Sequence, residues 1–330
     1  MSSRPSTISG RDEVTEHYVT LFDASFLPQG IALHRSMERH AGDFHLWIIA
    51  IDEPASSALR ALDLPNVTVL DLLDIETSEL LSVKPLRTRG EYCWTLTPFT
   101  PTVVFEADPA VQRVTYVDSD LWFTASPDAV FEEFDRSGRA VMITDHAYAP
   151  EHDQALASGR FCVQFMPFVR DSSQSVLTWW QERCIEWCYA RFEDGKFGDQ
   201  KYLDDWPSRF PDQVHVFEQI STMQAPWNAN RFDPRDAIVF HFHELRTRDR
   251  QHVRLGHYRL PERTLRQIYD PYLVDLATAL SSLRSIGVTA PPQKPPKGAW
   301  QEFKDRMALR VLDRTPPRSP LTARLPRLPS

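Results

Sequence analysis

With 330 residues, 42% of them hydrophobic and 11% aromatic, the chain can bury a large core as one large or two ordinary domains. A formal net charge of -8 argues against nucleic acid as the main partner, and residues 1–290 are more acidic still, because residues 291–330 carry nine Lys/Arg against three Asp/Glu. No run of 18 apolar residues and no charged leader with an apolar core occurs, so the body is expected in the cytoplasm; four cysteines, at 93, 162, 184 and 188, read as reduced core thiols.

From the N-terminus, residues 1–16 read as flexible, and strand and helix patterns then alternate. "HYVTLFD" (17–23) reads as a strand, "GIALHRSMERH" (30–40) as a helix and "FHLWIIAID" (44–52) as a strand. "SALRALDL" (57–64) follows as a short helix and "VTVLDL" (67–72) as a strand. Such alternation implies a Rossmann-like α/β domain, a mainly parallel sheet flanked by helices, with ligands outside the carboxyl ends of its strands. Thr20, Phe22 and Asp23 end the first strand and are candidates to face a ligand in that crevice. No G-x-G-x-x-G or G-x-x-x-x-G-K-[ST] is present, which argues against dinucleotide or P-loop chemistry.

In "KPLRTRGEYCWTLTP", Arg87 or Arg89 is expected to face the bound ligand, the alternative being a solvated charge. "RVTYVDSDLWF" (113–123) then breaks an apolar run with two aspartates. At the mouth of a buried strand Asp118 and Asp120 would repel each other and lose solvation, at a cost of several kcal/mol. A divalent cation resolves that conflict; a solvated turn is the plain alternative. The apolar flanks Val114, Tyr116, Val117 and Leu121–Phe123 favour the cation, and Ser119 lies between its ligands.

"GRAVMITDH" (138–146) and "FCVQFMPFV" (161–169) read as strands around a long loop. "DSSQSVLTWWQERCIEWCYAR" (171–191) reads as a helix capped by its first Asp, with Val176, Trp180, Cys184 and Cys188 on one face. "KFGDQKYLDDWP" (196–207) is an acidic segment after a glycine turn. "QAPWNANRF" places Trp227 beside Asn228, a pair suited to packing on and hydrogen-bonding a sugar, or equally a buried loop tryptophan. "AIVFHFHEL" (237–245) is a strand with His241 and His243 on one face. Asp270 before Pro271 reads as the cap of a last helix that carries Tyr272, Leu276, Leu280 and Leu283. Helices therefore occupy 261–290. Residues 291–330, nine of them proline, read as a basic tail outside the core, with an amphipathic helix near 299–314 carrying Trp300, Phe303, Met307 and Val311.

These features resemble, in order, the bacterial nucleotide-sugar glycosyltransferases with the A-type fold. The resemblance is strongest to the retaining family that includes glycogenin and lipopolysaccharide galactosyltransferases. It covers roughly residues 17 to 250 and rests on "YVTLFD", "YVDSDLWF", "DQKYL" and a late histidine-bearing strand. It implies a catalytic domain over 17–260, Mn2+ or Mg2+ held by Asp118, Asp120 and His241, and a nucleoside diphosphate sugar as donor. Asp199, Gln200 and Gln164 are the implied catalytic residues: Asp199 and Gln200 match the pair that approaches the donor sugar, and Gln164 stands where the family has an Asn-x-Gly segment in its sugar-binding strand. The terminal His-x-x-Gly-x-x-Lys motif is reduced to "HFHELRTR", leaving Arg246 or Arg248 to meet the diphosphate. The implied acceptor is a saccharide or a lipid-linked saccharide; the basic tail itself reads either as a terminus with a helix docked on the body or as a peripheral contact with the inner face of a membrane. A sugar nucleotidyltransferase would want a glycine-rich basic loop near the first strand, which is absent, and a catalytically degenerate sugar-nucleotide-binding protein would not need all of these carboxylates.

Overall fold

Apolar runs of five to seven residues whose successive side chains are all buried are the mark of strands covered on both faces, and the first strands of the sheet fit it: Tyr18 and Val19 are both fully buried, as are Ile48 and Ile49. The computed structural model describes residues 15–247, 252–289, 321–326 and 328. Strands β1 (Glu16–Phe22), β2 (Phe44–Ala50), β3 (Val67–Asp71) and β4 (Arg113–Val117) run parallel in the spatial order β3–β2–β1–β4. After the short β5 (Leu121–Phe123) come β6 (Val141–Asp145), β7 (Phe161–Cys162), β8 (Phe165–Val169) and β9 (Val214–Val216). They extend the sheet as β4–β8–β6–β7, with β8 antiparallel to β4 and β6, and β9 parallel to β6. The result is the expected mixed, mainly parallel sheet with helices on both faces. Two small sheets complete it: β10 (Met223–Gln224), β11 (Val239–His241) and β5 in one, β12 (Arg246–Thr247), β13 (His252–Gly256) and β14 (Leu321–Arg324) in the other.

Four expectations change in detail. "FCVQFMPFV" is two strands, because Phe161–Cys162 pairs with the end of β6 while Phe165–Val169 pairs along β4. The helix expected from 171 begins at Gln174 and ends at Glu186, because Asp171 adopts a left-handed φ of 58° in the turn before it; Cys188 thus lies beyond the helix. Asp270 caps nothing: helical structure starts at Glu262 and passes through a π turn at Leu265–Tyr269 into the helix Asp270–Ser285. Pro271 supplies the reason, since it has no N–H and its ring crowds the carbonyl a turn earlier, which a widened turn relieves. The tail also reaches the fold, because Leu321–Arg324 contains no proline and pairs antiparallel with β13, burying Leu325. The amphipathic helix expected near 299–314 and the N-terminal residues 1–14 lie outside the described residues. The four cysteines are free thiols, three of them buried. Among the described residues, no helix is long and apolar enough to cross a membrane.

Two contacts fix the frame of the strand ends. The helix Leu27–His40 crosses β1 at Gly30, where a Cβ would lie 2.5 Å from Cζ of the buried Phe22 ring. Alanine would gain about 1 kcal/mol of helix propensity but overpack by about 1–3 kcal/mol. Gly30→Ala should therefore lower the thermal midpoint; a raised midpoint would show that Phe22 is free to move.

The helix Asp270–Ser285 docks through the buried Asp275, which accepts from Trp122 Nε1 at 2.8 Å, Arg35 Nε at 3.3 Å and Arg39. Trp122 lies two residues after Asp120, so the last helix braces the strand that follows the two aspartates. Asp275→Ala leaves the buried indole N–H without its acceptor and should cost about 2 kcal/mol in chemical denaturation. No loss would mean that water or a neighbouring carbonyl replaces the carboxylate.

Candidate metal and nucleotide site

Because β1, β2 and β4 are parallel, their carboxyl ends share one edge of the sheet, and each ends in acid: Asp23 after β1, Asp52 after β2 and Asp118 after β4. Ser119 and Asp120 complete a tight turn, closed by the Leu121 N–H donating to the Asp118 carbonyl at 3.0 Å. The chain reverses there into β5, which pairs antiparallel with β11 so that Leu121 faces His241. The Phe242 N–H donates to the Asp120 carbonyl at 2.9 Å and sets this late strand against the turn.

Asp118, Asp120 and His241 each bring one ligand atom into a cluster no more than 4.8 Å across. His241 Nε2 is 3.0 Å from Asp120 Oδ1 and 3.7 Å from Asp118 Oδ2. Its Nδ1 is 3.1 Å from Gln164 Oε1. Burial pulls the His241 pKa down, but Asp120 and Asp118 outweigh burial and hold it well above the usual imidazole range. Burial pushes Asp120 up, and the opposing charge of His241 drives it well below the usual carboxylate range. Asp118 goes up, through burial and the nearby Asp120. His243 is lowered to about 4 by burial and the charge of His241. Two carboxylates and one ring nitrogen converging from two elements fit a hard to borderline divalent cation.

Beside the cluster, Tyr116 donates its hydroxyl to Asp118 Oδ1 at 2.8 Å. Asp199 is 5% exposed, and burial, then the charge of Asp118, push its carboxyl up to about 8, against a hydrogen bond from Thr97. Trp180 Nε1 donates to the Asp199 carbonyl at 2.9 Å and anchors the segment. Gln200 donates to the Ser158 carbonyl at 2.6 Å, which ties the long loop to Asp199. Along the strand ends, Arg89 bridges Asp23 at 3.1 Å and Asp52 at 2.6 Å and stays more than half exposed. Arg246 Nη1 stands 3.8 Å from Asp120 Oδ2, with its guanidinium over the Phe26 ring.

Comparison with known proteins bears on kinship. No family model matches the chain. It is 29% identical over 292 residues to the uncharacterized protein YfnD of Bacillus subtilis (strain 168), covering 82% of this chain and 92% of YfnD. It is 32% identical over 211 residues to the uncharacterized protein YfnF of the same organism, covering 62% of this chain and 69% of YfnF. The chain belongs to the YfnF family. Among solved structures, this YfnF-family chain is similar to the bifunctional glycosyltransferase WbbM in its apo form, with a TM-score of 0.50 and 12% identity. The match covers 86% of this chain and 53% of WbbM. The fold is the glycosyltransferase A-type fold.

The structure thus gathers most of the residues that the sequence marks and turns others inward. Ser119 is buried within the turn, and Phe22 packs on the first helix. The Thr20 hydroxyl is buried inside β1 without a hydrogen-bond partner. Arg87 is buried too: it stacks on Tyr189 at 3.9 Å and donates to the Ile185 carbonyl, closing the end of the helix Gln174–Glu186, so of the two arginines it is Arg89 that stays open at the strand ends. Trp227 donates to the His146 carbonyl and sets its edge against the His241 ring at 5.3 Å. The Asn228 amide is fully buried and spent on His146, Met223 and Ala225 main-chain groups. These two residues support the site from behind. Sequence reasoning passed over Asp52, Tyr116 and Thr97 in this YfnF-family chain. Asp52 carried a signal, as the acid that ends a strand beside the one ended by Asp23; Tyr116 and Thr97 carried none, because their hydroxyls sit in apolar segments.

Proposed function

We propose that this protein is a metal-dependent glycosyltransferase that moves a sugar from a nucleoside diphosphate sugar, a UDP-sugar by preference, to a saccharide or lipid-linked acceptor with retention of configuration. Its place would be surface polysaccharide or glycoconjugate synthesis. The observation that carries the reading is the convergence of Asp118, Asp120 and His241 at the carboxyl edge of the sheet. Those three residues would hold Mn2+ or Mg2+, and the cation would neutralise charge on the departing diphosphate. Arg246 is already beside Asp120 and presents a guanidinium fork suited to phosphate oxygens. Asp23 and Arg89 at the strand ends are suited to the nucleoside. Asp199 and Gln200 orient the donor sugar next to the cluster. Retention then proceeds by front-face exchange, the departing diphosphate taking the proton of the incoming hydroxyl.

Thermal shift against a panel of nucleotide sugars, with and without Mn2+, tests the reading. A ligand at a hundred times its Kd stabilises the native state by about 2.7 kcal/mol, so the right donor should raise the midpoint clearly and only with the metal. If no nucleotide sugar does so, the reading fails. If one does so but its sugar is neither transferred nor hydrolysed, the protein is a binding module on the same fold.

A further inference from the structure

Gln164 is 1% exposed and sits in the gap between β7 and β8, a polar side chain where the strand pattern calls for none. It makes two contacts with the cluster. Its main-chain oxygen accepts the Asp118 N–H at 3.1 Å, and its side-chain Oε1 stands 3.1 Å from His241 Nδ1. The far side of the same ring, Nε2, faces Asp120 and Asp118.

With a cation bound the His241 ring would be a neutral imidazole with one N–H, and the nitrogen that ligates must offer its lone pair. Two carboxylates beside Nε2 attract that single proton, since a hydrogen bond to a carboxylate is roughly twice as strong as one between neutral groups. Left to them, the ring would keep its proton on Nε2 and turn a donor toward the place where a lone pair is required. An amide oxygen on the opposite side accepts but does not donate, so it pays to hold the proton on Nδ1. The Cys162 thiol also adjoins His241, but sulfur is the weaker acceptor. Trp227 and His243 meet the ring by their edges, at 5.3 and 5.8 Å, so the amide is left to choose the tautomer.

We infer that Gln164 is the positioning residue of the cation site: its side-chain oxygen holds His241 as the Nδ1–H tautomer with Nε2 aimed at the carboxylates, while its main-chain oxygen holds Asp118. This deepens the metal-dependent reading and rests on it. The role needs no contact with donor or acceptor, so it is separable from catalysis.

The test uses the full chain with Gln164→Leu, which removes the acceptor and leaves the main-chain bond, and Gln164→Glu, which restores an acceptor at the same reach. Isothermal titration with Mn2+ alone should show a 10–100-fold loss of affinity for the Leu variant, as for other partners that orient metal-bound histidines, and wild-type affinity within an order of magnitude for the Glu variant. With diamagnetic Mg2+ bound, nitrogen NMR of labelled histidine should find the Nδ1–H tautomer at His241 in the wild type and the Glu variant, and its loss in the Leu variant. If the Leu variant does not fold, Gln164→Asn, which withdraws the oxygen by one methylene, takes its place with the same expected loss. Unchanged affinity and tautomer without the acceptor overturn the inference, and so does an equal loss in both variants with the tautomer kept. Wild-type protein that binds no Mn2+ overturns the metal reading itself, a result distinct from either.

Discussion

Asp120→Asn should abolish sugar transfer and remove Mn2+-dependent nucleotide binding, and Asp118→Asn should do the same. An amide oxygen in place of a carboxylate leaves one negative charge where two converge on His241, and a cation held by charge loses most of its affinity. A metal supplies several kcal/mol of charge stabilisation to a departing phosphate, and about 4 kcal/mol corresponds to a rate loss on the order of 10³-fold. The fold should survive, because the main-chain bonds of the turn, Leu121 N–H to Asp118 and Phe242 N–H to Asp120, do not involve the carboxylates. Titration with the nucleoside diphosphate, with and without Mn2+, and near-UV circular dichroism separate the two effects. Unchanged metal-dependent affinity in both variants would sink the metal assignment.

The second large effect is expected at Asp199, where function and stability should move in opposite directions. Burial first, and then the charge of Asp118, push its carboxyl up to about 8. A carboxyl raised above its unfolded value near 3.9 keeps a proton in the native state that the unfolded chain has already released. Its contribution therefore falls as pH rises from about 4 to about 8, by about 1.4 kcal/mol per pH unit for one proton. Asp199→Asn should remove that slope and be the more stable protein at pH 8 in denaturant titrations run with chelator. Equal pH slopes in the two proteins would show that Asp199 is ionised in the native state. Transfer should fall but stay measurable in the Asn variant, with modestly weaker donor binding, because a carboxyl that keeps its proton near neutrality orients a sugar better than it attacks one. If Asp199 were the nucleophile, Asp199→Ala would lose nearly all turnover, azide would partly restore it, and a glycosyl adduct on Asp199 would be found by mass spectrometry.

The sequence by itself determined the strand and helix alternation from 17 to 72, because burial on both faces of a parallel sheet writes continuous apolar runs into the chain, as in "FHLWIIAID". It also determined the pair Asp118 and Asp120, since two acids at the end of such a run conflict with burial whatever surrounds them. Only the tertiary structure supplied the contact that joins His241 to them: the family resemblance named it over His243, which shares its strand face in sequence, and the pairing of β11 with β5 is what sets His241 against Asp120. The same holds for Arg87 and Arg89, two residues apart, one buried under Tyr189 and the other bridging Asp23 and Asp52. The inward turn of Asn228, the hydroxyl of Tyr116 on Asp118 and the strand made by Leu321–Arg324 were also out of reach. The reason is common to all of them. Local periodicity reports whether a side chain meets apolar or polar surroundings, while a hydrogen bond or an ion pair depends on one atom from a distant segment arriving within about 3 Å, which only the packed chain specifies.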